Sequence, residues 1–384
     1  MRIPTLQQLP PDAVTYLTVC LDATRTTESA DHEMEVRWHG LRRTLAESGA
    51  APDVLDRIGE RLVAPTGRSG AAARLVVAAD GDVALDLVLP ARPVREEAVA
   101  GPAPHLLPVF RALADRLPYV LAEVDRTGAD ISVVDEWATS SQASVDGDHD
   151  VIHKVPGGGL AHRRIQARVE DSWARNAAAV AAELERTVAR HRPAAVLLDG
   201  DPIAVADVLA AAGDAVTRIA GRLRSGNRAD GASTESRDAE IAGELVRLAR
   251  DRRAAWLDRF RTQEGRQAAA VQSLPDVVAV ARAGQIDELL LTDDPSSTNH
   301  LWVGDQPLAL GQTESDVAAL GSKRVRRTRA DTALVWAVVR ADAGVTLLDP
   351  DQSGLRDGIG AVLRWADRST PHDAAPSMPG HGQG

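Results

Sequence analysis

The chain has 384 residues, with 44 Lys or Arg against 55 Asp or Glu, so its formal net charge is −11 at pH 7. This length exceeds one ordinary hydrophobic core, and two or three domains are expected. The acidic balance excludes a general nucleic-acid coat protein, but local basic clusters still permit RNA binding.

The hydropathy pattern and the cysteine count indicate where in the cell the protein is located. No apolar run of about 18 residues exists, so no transmembrane helix is expected. The opening residues, MRIPTLQQLPPD, lack the apolar segment of a secretory signal. The single cysteine, Cys20, excludes an internal disulfide. We therefore expect a reduced, cytoplasmic protein.

Residues 1–115 are predicted to form an α/β domain in which no pattern indicates chemistry. The predicted elements are a strand over 16–23, helices over 31–48 and 52–63, strands over 73–79 and 83–89, and a short helix over 107–117. The segment 90–104 is rich in proline and small residues and is predicted to be a connection.

Residues 116–272 are predicted to form a second α/β domain. Its elements are a hairpin of strands over 119–124 and 129–135, a polar loop over 139–150, a glycine stretch, a long helix ending near 192, a buried strand AAVLLDGD, a helix beginning at Pro202, and a charged helix over about 236–272.

Residues 273–368 alternate between short helices and strands, which predicts a third domain, a small α/β/α sandwich. It contains a basic segment, SKRVRRTR, which we interpret as a loop. The tail, 369–384, is rich in proline and glycine and is predicted to be disordered.

The glycine stretch and the helix after it carry the most informative pattern. Three consecutive glycines, residues 157–159, provide a backbone free of side chains that can approach another molecule closely. The apolar residues of the helix recur every three or four positions and form one buried stripe: Ile165, Val169, Trp173, Ala177, Val180, Leu184 and Val188. Arginines lie on another face, which indicates a probe for an anion.

The order of hairpin, glycine loop, arginine-bearing helix, strand, helix and sandwich resembles the middle and C-terminal domains of the archaeal and eukaryotic class 1 release factors, a family that includes Pelota. Gly158, Gly159 and Leu160 fall on the Gly-Gly-Gln of that family, and VVAVARAGQIDELLLTD and GIGAVLRW match its third domain. The resemblance covers about residues 118–368 and is greatest to a bacterial branch that contains mycobacterial release-factor-like proteins and the ribosome hibernation factor Balon. Residues 1–115 do not resemble the codon-reading domain of the family.

Leu160 stands where the family has its glutamine, whose amide helps to place water at the peptidyl-tRNA ester. If the register slips by one, Gly159 stands there instead. Neither residue offers a polar side chain, so efficient peptide release by this route is not expected. The resemblance then implies a factor that occupies the ribosomal A site and places the loop near the peptidyl-transferase centre. The residues predicted to bind ribosomal RNA are Pro156, Gly157, Gly158, Gly159, Leu160, His162, Arg163, Arg164, Arg168, Arg175, Lys323, Arg324, Arg326, Arg327 and Arg329.

Several alternatives remain open. His162 could act as a base in a rescue or release factor that hydrolyses peptidyl-tRNA without the glutamine. The arginines near the glycines could form a solvated face, and the segment from Lys323 to Arg329 could be a disordered basic loop. No GxxxxGK[ST] pattern accompanies the glycines, so a nucleotide-binding P-loop is rejected.

Two acidic groups invite a catalytic interpretation. A polar loop concentrates potential metal ligands without the spacing of a metal site: Asp146, Asp148, Asp150, His149 and His153. Asp199 and Asp201 end a strand where α/β enzymes often place catalytic carboxylates, but capping of the next helix is the favoured interpretation. No metal and no cofactor is therefore expected.

The expected partner is the 70S ribosome, with a GTPase such as EF-Tu as a possible delivery factor that the resemblance permits. Neither membrane association nor oligomerisation is indicated, and we expect a monomer.

Overall fold

The computed structural model describes residues 1–25, 30–68, 70–146, 160–224, 234–266 and 268–371; for residues 30, 31, 146, 160–171 and 234 it describes the backbone alone. The chain divides into two compact units. One combines Met1–Ala114 with Asp251–Gly384, and the other is Asp115–Arg250. The three-domain division drawn from the sequence stays a prediction.

The N-terminal part of the first unit is an antiparallel sheet covered by two helices. Its elements, after a 3-10 helix at Pro4–Gln8, are β1 Tyr16–Asp22, α1 Ala30–Glu47, α2 Pro52–Val63, β2 Ala73–Ala79, β3 Asp82–Leu89, β4 Glu97–Gly101 and α3 Leu107–Leu113. The strand order is β3-β2-β1-β4. Alternate residues of β1 point to opposite faces. Leu17, Val19 and Leu21 therefore share a core with Met34 of α1 and Ile58 of α2.

The second unit is built on a five-stranded mixed sheet. Its elements are β5 Tyr119–Val124, β6 Gly128–Val134, β7 Ser140–Asp146, α4 Leu160–His191, β8 Ala195–Gly200, α5 Pro202–Ala211, α6 Asp214–Thr217, β9 Ala220–Arg222 and the first part of α7 Thr234–Gly265. The strand order is β7-β6-β5-β8-β9, and β8 runs parallel to both β5 and β9. Residues of α4 and α5 share a core with the sheet, and those of α7 share another.

The C-terminal part of the first unit contains two sheets. Its elements are β10 Ala270–Gln272, α8 Leu274–Arg282, β11 Ile286–Thr292, β12 His300–Val303, β13 Leu310–Gly311, α9 Glu314–Ala318, β14 Arg326–Arg329, α10 Ala330–Arg340, β15 Gly344–Leu348, α11 Pro350–Ser353 and β16 Ile359–Leu363. The larger sheet has the order β10-β16-β11-β15, and the smaller has the order β13-β12-β14. Leu257 and Phe260, from the last part of α7, pack against the larger sheet.

The α/β fold class predicted from the sequence is confirmed by these sheets and helices. The strands and helices predicted between residues 16 and 89 are all present. None of the helices in the described part of the chain has the length and apolar character needed to cross a bilayer.

Several short strands contradict the predicted loops. β4 lies within the predicted connection 90–104, β7 within the polar loop 139–150, and β14 within the basic segment; β10 follows a helix that ends at Gly265 rather than near residue 272. β7 is an exposed edge strand, so its outward residues need no apolar alternation. Pairing with β6 supplies the backbone order that the polar side chains do not indicate.

A buried polar network joins the N-terminal and C-terminal parts of the first unit. His105 is 2% exposed. Its Nδ1 lies 2.8 Å from Thr332 Oγ1, and its Nε2 lies 3.2 Å from Glu97 Oε1. Arg111 donates from Nη2 to Asp293 Oδ1 at 2.8 Å, and its Nη1 lies 3.7 Å from Glu97 Oε1. Each buried charge therefore has a partner across or beside the junction, as burial requires.

Burial alone would raise the pKa of the Glu97 carboxyl, but the hydrogen bond and charge of His105, together with Arg95, outweigh it and hold the pKa below its usual range. A depressed pKa means that the folded state gains stability from the ionised carboxylate. That gain is present above the pKa of glutamate in the unfolded chain and is lost as pH falls through the lower, folded value.

We expect Glu97→Gln to destabilise the first unit at pH 7 by about 1 to 3 kcal/mol, because a buried charged hydrogen bond is lost. The difference from wild type should shrink as pH falls below about 4, where glutamate becomes protonated. Calorimetric unfolding of the full chain between these pH values measures this. The exposed Glu35→Gln is the matched control, and a Glu97→Gln effect that does not depend on pH would contradict the assignment.

Candidate functional site

The predicted site lies at the beginning of α4. This helix begins at Leu160, the residue that directly follows Gly159. Residues 156–159 lie outside the described residues. Leu160, His162, Arg163, Arg164 and Arg168 lie in the helix, but the description there covers the backbone and not the side chains. Arg175, about two turns after Arg168, is exposed.

The apolar stripe predicted for α4 is confirmed over its described part. Ala177, Val180 and Leu184 are buried in the core that α4 shares with the sheet, and Val188 packs partly against it. Trp173 is half-buried at the start of this packed stretch. The helix is therefore fixed to its sheet from about Ser172 onward, where the side chain is buried.

Arg126, in the turn between β5 and β6, fixes this part of α4. Its guanidinium carbon lies 4.3 Å from the centroid of the Trp173 ring, a cation–π contact. Asn176, 7% exposed, donates from Nδ2 to the Arg126 carbonyl oxygen at 3.1 Å. Arg126 therefore contacts α4 twice: its side chain contacts Trp173, and its backbone carbonyl accepts from Asn176.

Asp201 connects the same arginine to α5. Arg126 Nε donates to Asp201 Oδ2 at 3.1 Å, while Asp201 Oδ1 accepts from the backbone N–H of Ile203 at 2.8 Å. Backbone hydrogen bonds from Ile203 and Ala204, followed by the charge of Arg126, hold the pKa of the Asp201 carboxyl below its usual range. The capping role favoured from the sequence is confirmed, because Asp201 is the N-cap of α5.

Asp199 has different partners from Asp201. Asp199 is 8% exposed and accepts from the backbone N–H of Gly200 at 2.9 Å. Its Oδ2 lies 3.9 Å from Arg237 Nη1, which also donates to Glu123 Oε1 at 2.5 Å. Asp199, Glu123 and Arg237 form an ion-pair cluster at the carboxyl ends of β5 and β8.

The five basic residues of the segment 322–329 divide into two classes. Arg324 Nε donates to Asp305 Oδ1 at 2.7 Å, Arg326 donates to the carbonyl oxygen of Val14, and Arg329 pairs with Asp331. Lys323 and Arg327 are exposed, and in the described part of the chain neither side chain has a polar partner. The structure therefore assigns three of the five to internal contacts.

Burial lowers the pKa of the Arg326 guanidinium, with the nearby charge of Arg324 acting in the same direction. The hydrogen bond to Asp331 raises the pKa of Arg329. Both side chains stay charged at neutral pH, since arginine begins far above it. The predicted loop is wrong over residues 326–329, where the backbone is β14.

The metal-site interpretation of the acidic loop stays untested, because most of its residues lie outside the described part of the chain. Asp146 ends β7, whereas Asp148, His149, Asp150 and His153 lie outside the described residues. Among the residues that the structure describes, no group of three or more His, Cys, Asp or Glu could hold a metal ion.

Sequence reasoning missed Arg126, which the structure places between Trp173 and Asp201. A signal existed, because Trp173 was the one aromatic residue of the predicted stripe. The contact joins residues 47 positions apart, however, and periodicity within one helix cannot indicate it.

The middle of the chain matches the model of a known protein family. Residues 118–266 match the model of bacterial archaeo-eukaryotic release factor family 2. The uncharacterized protein Rv2629 of Mycobacterium tuberculosis H37Rv is 26% identical over 353 residues, which are 91% of this chain and 93% of that protein. The uncharacterized protein MT2704 of strain CDC 1551 gives the same values.

Solved structures give a weaker comparison. Archaeoglobus fulgidus Pelota is 13% identical, with 77% of this chain and 80% of that chain covered and a TM-score of 0.33. S. cerevisiae Dom34, described as a translation termination-like factor, is 10% identical, with 95% and 91% covered and a TM-score of 0.39. TM-scores this low carry no argument about function. The family match alone confirms the release-factor resemblance of residues 118–266, which include all of α4.

We expect Asp201→Ala to destabilise the second unit by about 1 kcal/mol, because it removes the N-cap of α5. Asp201→Asn should recover most of this loss, since asparagine also caps helices. The midpoint of the unit's thermal transition measures both. Asp207→Ala, exposed on the same helix, is the control, and equal losses in the alanine and asparagine variants would contradict a capping role.

Proposed function

We propose that this protein is a release-factor-like translation factor that binds the 70S ribosome and occupies its A site without releasing the peptide. The match of residues 118–266 to a bacterial release factor family is the observation that carries the proposal. On this proposal residues 156–160 approach the peptidyl-transferase centre, and the function is that of a hibernation factor in the cytoplasm.

The geometry of α4 supports a long reach for the loop. The helix has 32 residues, which corresponds to about 48 Å of rise. From Trp173, where Arg126 holds it, the backbone continues for about 20 Å to its first residue, Leu160. A helix fixed at one end in a packed sheet is a suitable support for a glycine segment that enters a narrow cavity.

The chemistry of residue 160 supports blocking rather than hydrolysis. Leucine cannot donate a hydrogen bond to a water molecule or to the developing charge on the ester. The glycines permit close approach in any case, and Arg163, Arg164 and Arg168 are proposed to bind phosphates of ribosomal RNA. Lys323 and Arg327 are proposed as a second contact, because neither side chain has a polar partner among the residues that the structure describes. Delivery by a GTPase such as EF-Tu and a monomeric state are compatible with this proposal.

The protein should sediment with 70S ribosomes in density gradients at low salt and should dissociate as salt increases, because phosphate contacts release counterions. Replacing Arg163, Arg164 and Arg168 together with alanine should weaken association at least tenfold, on the order expected for three phosphate contacts. Arg186→Ala is the matched control, because Arg186 lies on the same helix and is paired with Glu183. Absence from the ribosomal fraction at low salt, in extracts of both stressed and growing cells, would sink the proposal.

No peptide release above buffer is expected when the protein is added to ribosomes that carry peptidyl-tRNA in the P site. The competing function is hydrolysis with His162 as base. A release assay on wild type and His162→Ala separates the two. Release by wild type that is lost in His162→Ala would establish the enzyme and overturn the blocking role.

A further inference from the structure

The small sheet of the C-terminal part has one face that points away from the core. In the antiparallel pair β12–β14, His300 lies opposite Arg329 and Trp302 lies opposite Arg327, so these four residues share a face. The alternate residues of β12, Leu301 and Val303, are buried at 0% and 6% exposure. The first face is therefore the outer one, and His300 and Arg327 are exposed on it.

Trp302 is partly exposed between these basic residues. Within the described part of the chain its ring has no aromatic neighbour and no cation over it, unlike Trp173, Trp256 and Trp336. An indole that is partly exposed beside cationic side chains is a surface on which a flat, electron-rich group can stack.

The loop before β14 places a further charge beside this face. Asp305, just beyond β12, accepts from the backbone N–H of Lys323 at 2.7 Å and pairs with Arg324. The loop also lies close to the chain at Gly304, because a Cβ on Gly304 would lie 2.0 Å from Ser322 Oγ. The loop is thus fixed against the end of β12, with the Arg324 charge compensated and the Lys323 ammonium exposed.

We propose that this outer face, defined by His300, Trp302, Lys323 and Arg327, binds an unpaired RNA nucleotide, with its base stacked on Trp302 and its phosphates at Arg327 and Lys323. Side chains directly opposite in an antiparallel pair have Cβ atoms about 5 Å apart. Arg327 and Trp302 are such a pair, so the long side chain of Arg327 is available to a phosphate next to a base stacked on Trp302.

Charge complementarity selects RNA over an acidic protein segment. The whole chain carries a net charge of −11, yet Arg327, opposite Trp302, and Lys323, in the adjoining loop, have no charge partner within the described part of the chain. Stacking of a base on an aromatic side chain with arginine at the phosphate is the usual mode for single-stranded nucleic acid. An acidic peptide would use the same charges but would not need the partly exposed indole.

The identification of the RNA as ribosomal rests on the proposed function, whereas the binding surface does not. The test therefore uses free RNA: the full chain and a fluorescein-labelled oligouridylate of about twelve nucleotides, with affinity measured by fluorescence anisotropy at low salt. Trp302→Ala should weaken binding about tenfold, and Trp302→Phe should stay within about threefold of wild type, because phenylalanine preserves stacking. Trp365→Ala is the matched control, since Trp365 is 48% exposed and lies outside this sheet.

Arg327→Ala should reduce the slope of log Kd against log salt by about one, as one phosphate contact is removed, and Arg186→Ala should leave it unchanged. Thermal unfolding confirms that each variant folds.

Wild type that does not bind the RNA, or Trp302→Ala that binds it as tightly as wild type, overturns the inference. Unchanged RNA binding with loss of ribosome association in Trp302→Ala would assign the face to a protein and also overturn it. Trp302-dependent RNA binding by a protein that does not sediment with ribosomes would leave this inference standing and reject the proposed function.

Discussion

The first unit depends on the burial of α10. Nine of its eleven residues are buried, and a helix that is apolar on all sides requires neighbours on all sides. The strands β11 and β15 contact it from the C-terminal part, and α3 and the 3-10 helix Pro4–Gln8 contact it from the N-terminal part. Tyr16 packs edge-on against Trp336 with ring centroids 5.7 Å apart. Residues more than 300 positions apart in sequence therefore complete one core.

The polar network of Glu97, His105, Arg111, Asp293 and Thr332 gives that core a defined orientation. Apolar surfaces alone tolerate small shifts, whereas a buried hydrogen-bonded charge loses several contacts together when its partner moves. Cys20, opposite Glu97 in the pairing of β1 and β4, lies in the same environment. Burial, together with the negative charges of Glu97 and Glu96, raises the pKa of its thiol to about 12. The thiol is therefore an inert part of the packing.

Periodicity predicted the elements whose residues are buried on one or both faces. β1, β2 and β8 were predicted because their apolar runs are strong, and α4 because its stripe persists over several turns. The short polar strands β7 and β14 were not, because pairing with a neighbour orders them and their side chains carry no apolar pattern. At the candidate site, the cap by Asp201 followed from local chemistry. The contact of Arg126 with Trp173 and the internal pairs of Arg324, Arg326 and Arg329 depend on distant chain segments, which one sequence does not reveal.

The first unit is discontinuous along the chain, since Asp115–Arg250 intervenes between its two parts. During synthesis β1 leaves the ribosome long before α10, whose Trp336 packs against Tyr16 of β1. At typical bacterial rates of about 5 to 20 residues per second, the chain between them takes roughly 15 to 60 seconds to appear. For that time Tyr16 lacks Trp336, the aromatic ring against which it packs, while all residues of the intervening unit are already synthesised. The intervening unit can therefore complete its own fold before the first unit, whose core requires both ends of the chain.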